Sequence, residues 1–308
     1  MYTVHFKDVY GALNVPIRED SPEIRFMRHI CSGGKDVDSY FNETTIYRHK
    51  TFIDAPSGHY EGFREMEQFS EEWLKLFHAS DAEVYPVIQT VSGGRSATEM
   101  EIWFRLNGEV INKVPVTVFG DLAPGNKLEG LRIYYFFKFQ PGAVSYRPPI
   151  FRPGVNKPTE SALMTGVMRY YYEQLHNYRY EESFANMKGM IAKDCIYGGY
   201  RPDEEEPMSF GRDAIAEHYK GICMVNPDLA YIRFETIVDD GIRMAVEWTG
   251  IPTKEGLKKG FISIAGCAVY DRNSDGELAS IRINDNTGFD LGVDPSSIPA
   301  WNNFIAEL

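Results

Sequence analysis

A chain of 308 residues, 43% of them hydrophobic, is long enough for two domains of ~100–200 residues, each with its own core. Its formal net charge of −12, from 32 Lys+Arg against 44 Asp+Glu, argues against nucleic acid or an anionic membrane as the main partner. Cys31, Cys195, Cys223 and Cys267 stand far apart with no CxxC pair, no apolar run is long enough to span a bilayer, and the N-terminus lacks a basic-then-apolar leader, so the expectation is a cytoplasmic protein without metal cluster or disulfide framework.

Residues 1–20 read as an N-terminal arm, with a short strand (Tyr2–Phe6) before Gly11 and Pro16. Ser21-Pro22-Glu23 opens a helix that Gly33-Gly34 ends, and a second helix is predicted over 36–44. Tyr47–Asp54 is extended and Ala55-Pro56-Ser57-Gly58 a loop; Met66, Phe69, Trp73, Leu74 and Phe77 then recur at helical spacing. From Glu83 the period changes to two, giving strands at 83–91, 97–106, 114–119 and 128–139, with turns at Ser92-Gly93-Gly94 and Asn107-Gly108. Residues 140–160 carry five prolines and two glycines and cannot be regular structure, so 141–159 is read as a linker.

The second half repeats the plan. Helices are expected over 160–177, 180–193 and from Gly211, an extended segment over 194–200, an acidic loop over 201–209, and strands over 230–238, 242–249, 260–270 and 277–286. A short amphipathic tail, 293–308, closes the chain. Three landmarks recur in order about 150 residues apart: Leu131-Arg132-Ile133 as Ile281-Arg282-Ile283, Ile46-Tyr47 as Ile196-Tyr197, and Gly62-Phe63-Arg64 as Gly211-Arg212-Asp213. This is the signature of a tandem duplication whose unit is too long for a solenoid.

The order of elements, the Gly-Arg-Asp-Ala-Ile opening of a helix at 211–215 and the Asp-Gly-Glu-Leu-x-x-x-Arg entry to the last strand resemble the SnoaL-like branch of the nuclear-transport-factor-2-like superfamily, over most of 160–290 and more weakly over 21–140. The resemblance implies an α+β protein of two tandem cone-shaped domains (21–140 and 160–292), each with three helices packed on a curved antiparallel sheet. It also implies an apolar pocket inside each cone and a hydrophobic small-molecule ligand, with no cofactor. Members of this superfamily include polyketide cyclases, ketosteroid isomerases and non-enzymatic binding modules, so the fold leaves function open. Single domains of the superfamily commonly pair through the outer faces of their sheets, which implies an intramolecular pseudo-dimer of the two halves.

The candidate residues follow from strand period and from that resemblance. If Ile281 and Ile283 face inward, Asp285 does too, and in an apolar cavity it would serve as general acid or base; the alternative is a strand-end aspartate that binds the following loop. Tyr135 takes its place in the first half. Glu247 and Trp248 must face opposite ways, so one lines the pocket, and a solvated outer-face position is the reading weighed for Glu247. Asp54 resembles the proton-shuttling aspartate of ketosteroid isomerases, with His49 nearby, while Gly198, Gly199 and Tyr200 occupy that region of the second half. His59 reads as an ordinary loop histidine. Asp54, His49 and Asp285 are therefore the catalytic candidates, and Tyr135, Tyr197, Tyr200, Glu247, Trp248 and Trp103 the substrate-binding ones. The function expected is a cofactor-independent lyase, isomerase or cyclase acting on a hydrophobic ring-bearing carbonyl compound, or else a non-catalytic small-molecule or protein-binding module.

Overall fold

A computed structural model describes residues 17–43, 50–136, 139–142, 164–171, 185–186, 188–198, 209–223, 230–259 and 264–286; the side chains of 218–223, 230–233, 249–252, 257, 264–265 and 284–286 fall outside that description. The chain divides into two compact units, one of 1–150 with 201–203 and one of 151–200 with 204–308.

The first unit begins with α1 (Pro22–Cys31), entered from an extended Ser21 with proline in its first turn. A two-residue hairpin joins β1 (Phe52–Ala55) to β2 (Gly58–Glu61), and α2 (Phe63–Leu76) buries Met66, Phe69 and Trp73 along one side. The strands β3 (Asp81–Ser92), β4 (Arg95–Leu106), β5 (Glu109–Ala123) and β6 (Lys127–Tyr134) follow. Their predicted turns form: Gly93-Gly94 and Asn107-Gly108 all take positive φ, as tight hairpins between right-twisted strands require.

The second unit contains a helical stretch over 167–171, then β7 (Ile191–Tyr197), β8 (Ser209–Phe210), α3 (Arg212–Cys223), β9 (Ala230–Asp239), β10 (Arg243–Pro252), a short α4 (Lys254–Lys258), β11 (Ile264–Arg272) and β12 (Leu278–Asn286). The sheet orders β2-β1-β6-β5-β4-β3 and β8-β7-β12-β11-β10-β9 are the same order twice, so the chain is two tandem α+β domains of one plan.

Each sheet has six strands and is mixed, not a four-stranded antiparallel meander, because β1 and β7 join parallel to β6 and β12. The predicted helix at 36–44 is absent over its described part: 38–40 form a turn and Phe41 bridges to Leu128. One landmark of the repeat also moves. Ile53 pairs with Leu131 as Tyr197 pairs with Ile281, so the counterpart of Ile196-Tyr197 is Phe52-Ile53, while Ile46-Tyr47 lies outside the described residues. The glycine landmark stands: Gly62 N–H donates to Thr51 O (2.7 Å) and Gly211 N–H to Cys195 O (2.8 Å), both at positive φ and both opening a helix.

In the first unit the helices cover one sheet face. Phe26, Phe41, Phe69, Trp73, Phe77, Phe104 and Tyr135 fill it at close ring contacts, with Phe77 stacked on Phe104 at 4.0 Å. The opposite face is polar and buried, and it carries the same cluster in both units. Asp121 accepts from Arg132 (2.8 Å) and Arg95 (3.0 Å); Asp271 accepts from Arg282 and, at 2.6 Å, from Arg243. Burial pushes both carboxyls up, but the paired guanidiniums outweigh it, holding Asp121 below the usual range and Asp271 at about 2.

Candidate active site

The sequence that forms α1 also buries an acid. Glu23, Met27 and Ile30 recur at i, i+4 and i+7, which sets them on one side of the helix, and all three are fully buried. Glu23 meets the polar end of the inner sheet face. Its Oε1 accepts from Gln89 Nε2 (2.8 Å) and Thr98 Oγ1 (3.0 Å), and Gln89 Nε2 also reaches Ser21 Oγ (3.0 Å). The other carboxylate oxygen, Oε2, is buried without a hydrogen-bond partner, and so is the hydroxyl of Ser96. Burying such groups unpaired costs about 1–3 kcal/mol each, so two together call for a ligand or a solvent molecule.

Both residues line a cavity of about 240 Å³ at the N-terminus of α1, with Arg18, Lys127 and Leu122 among the other walls. Gly120 makes room there: a Cβ at that position would lie 2.9 Å from Ser96 Oγ, 2.9 Å from Leu128 Cδ2 and 3.8 Å from Glu23 Cβ. Gly120→Ala is therefore expected to cost about 1–3 kcal/mol through overpacking and to shrink the cavity, read as a lower urea midpoint together with weakened ligand binding.

The second unit closes the matching place. Asp121 and Leu122 correspond to Asp271 and Arg272, and the β3 to β4 pair Val91 and Ser96 corresponds to the β9 to β10 pair Asp239 and Met244. Where Val91 and Leu122 line the cavity, Arg272 forms an ion pair with Asp239, and both bond Thr165 at 2.9–3.0 Å. Burial pushes the Asp239 carboxyl up, but Arg272 and the Thr165 and Gly241 amides hold it below the usual range.

Of the residues singled out in the sequence, Asp54 is buried but sits in register with Arg132, while its neighbours Ile53 and Ala55 enter the helix-facing core. It therefore lies on the sheet face away from the helices, not in the cone. Its partner there is His59, whose Nδ1 is 2.5 Å from Asp54 Oδ1 across the β1 to β2 hairpin and whose ring stacks on Phe52. His59 is thus no ordinary loop histidine; His49 lies outside the described residues, as does Tyr200.

Asp285 pairs with Cys267, but a bulge between this pair and Ala268/Ile283 interrupts the alternation from which its inward direction was inferred. Its side chain falls outside the description.

Tyr135 is core, its hydroxyl donating to Gln140 Oε1 (2.7 Å) and its ring edge-on to Trp73 and Phe77. Tyr197 and Trp248 pack against the same core in the second unit, and burial pushes the Tyr197 hydroxyl up to about 12. Glu247 is fully buried, which corrects the solvated reading: the face opposite the helices is covered along β10 and β11. Trp103 lies on the corresponding face of the first unit, with Lys113 Nζ 4.8 Å above its ring and Tyr85 beside it.

No protein-family model matches the chain, and no curated protein matches it. The solved structures to which it is similar are NTF2-like folds. They include an NTF2-like protein of unknown function from Exiguobacterium sp. 255-15 (15% identity, 38% of this chain and 95% of that one, TM-score 0.30). A candidate polyketide cyclase from Sinorhizobium meliloti is 15% identical over 41% of this chain and 94% of its own, with TM-score 0.26. A protein with a ketosteroid isomerase-like fold from Catenulispora acidiphila, in complex with trimethylamine, is 13% identical over 37% and 86%, with TM-score 0.30. Each spans about two-fifths of the chain.

Proposed function

We propose that the first unit is a cofactor-independent proton-transfer enzyme of the isomerase, lyase or cyclase kind, with Glu23 as its acid–base group. The observation that carries this reading is the half-satisfied carboxylate. Gln89 and Thr98 fix one oxygen of Glu23 and so orient the other, which is buried without a hydrogen-bond partner on a residue that lines the cavity. In the proposed step, Oε2 takes a proton from the carbon next to a carbonyl. The C–H pair forms a carbon–carbon double bond as the carbonyl π pair moves to oxygen, and the Ser96 hydroxyl donates to the resulting enolate. Where the enolate is conjugated with a second double bond, Glu23 returns the proton to the far carbon; where a β-substituent is present, the carbonyl re-forms, the carbon–carbon double bond shifts toward the β-carbon, the bond to the substituent breaks, and Glu23 gives its proton to the departing group.

The walls argue against a large hydrophobic substrate. About 240 Å³ lies just below the ~300–1,000 Å³ usual for drug-sized ligands, and Arg18, Asp20, Glu23, Gln89 and Lys127 are among its walls. A ring-bearing polyketide or steroid is thus a poorer fit than a small carbonyl compound.

The test is exchange in heavy water. The protein is incubated with a panel of small ketones and oxo-acids, and loss of the proton next to the carbonyl is followed by proton NMR. Exchange above the buffer rate, reduced ~10²–10⁴-fold in Glu23→Gln, is the expected result. Thermal stabilisation by these compounds with no exchange would make the cavity a binding site without chemistry.

A further inference from the structure

Resting on that reading, we infer that the substrate is a small anion, an oxo-acid whose carboxylate lies at the cavity mouth while its carbonyl end meets Glu23 and Ser96. The mouth carries cations. Arg18 and Lys127 both line it, and neither is in an ion pair among the described residues. Lys127 Nζ bonds only a backbone carbonyl, Asp38 O, at 2.6 Å. The Arg18 backbone is pinned above the cavity by Gln89 Oε1 (2.8 Å), the same amide whose Nε2 holds Glu23, so the mouth cation and the floor acid are set by one side chain.

The N-terminus of α1 opens on the same space and adds partial positive charge. Two acids share the lining: Asp20 is exposed, as Arg18 is, and Glu23 is buried. The independent sign of a ligand is the Ser96 hydroxyl, 1% exposed, unpartnered and part of the lining. Polarity thus runs along the cavity, from cations at the mouth to hydroxyl and carboxylate at the floor. A carboxylate beside Glu23 would be repelled, so the anionic end of the ligand belongs outward and the acidic carbon inward.

The experiment compares levulinate and 2-oxobutanoate with the neutral methyl levulinate and butan-2-one on the full chain, reading binding by calorimetry and proton exchange by NMR. The oxo-acids are expected to bind at least ~10-fold tighter than the neutral compounds at low salt, with the preference shrinking as salt rises. In the Arg18→Ala/Lys127→Ala double variant that preference should vanish. Neutral compounds bound as tightly as the acids, a preference that survives the double variant, or no binding of either acid would overturn the inference. Binding of the acids without exchange would leave it standing and remove the catalytic role of Glu23 instead.

Discussion

Asp271→Ala should lower stability by about 3–5 kcal/mol, the usual cost of stranding buried charge. The substitution leaves two guanidiniums, Arg282 and Arg243, facing one another with exposures of 0% and 1%. Asp121→Ala should cost less, because the Asp121 side chain keeps 20% exposure and one of its two arginines, Arg95, is 25% exposed and open to water. Urea unfolding of both variants checks the order. The same cluster sets an acid limit. The Asp271 carboxyl sits at about 2 when folded against an ordinary 3.8, so its contribution is complete above pH ~4 and is lost as pH falls toward 2. That difference corresponds to about 2 kcal/mol.

Trp73→Ala is expected to destabilise the first unit by about 3–5 kcal/mol, as for other large-to-small core changes. Trp73 is fully buried, touches Phe69, Phe77, Phe104 and Tyr135 ring to ring, and donates its Nε1 hydrogen to Cys31 Sγ at 3.4 Å. Trp73→Phe keeps most of the packing and loses that contact. It should recover more than half of the loss in a thermal or urea melt.

The strands and their turns were legible because alternation and the Gly-Gly and Asn-Gly pairs act locally, and the repeat was legible in the β6 and β12 motifs. The β1 to β2 hairpin was not, since strands of four residues carry too little alternation to separate them from loop, and their parallel pairing is a tertiary fact. Asp285 shows the limit of a period-two argument: a single bulge removes its basis. Asp54 was singled out by resemblance and is buried, yet its face depends on the register with β6, which nothing in residues 50–60 encodes. Glu23 was the readable miss. A glutamate in a first turn suggests charge complementing the helix dipole, but its spacing to Met27 and Ile30 already placed it on the apolar side.

The proposed role of Glu23 requires that its carboxylate be kept half-unsatisfied for chemistry and not for folding. Glu23→Gln tests it most directly when stability and exchange are measured on the same preparation. Gln can accept from Gln89 and Thr98 with its oxygen, and it removes a buried acid whose second oxygen has no donor. The expected result is a melting temperature equal to or above that of the parent, with proton exchange on the carbonyl panel lost. A variant that melts well below the parent, or one that exchanges as fast, would contradict it.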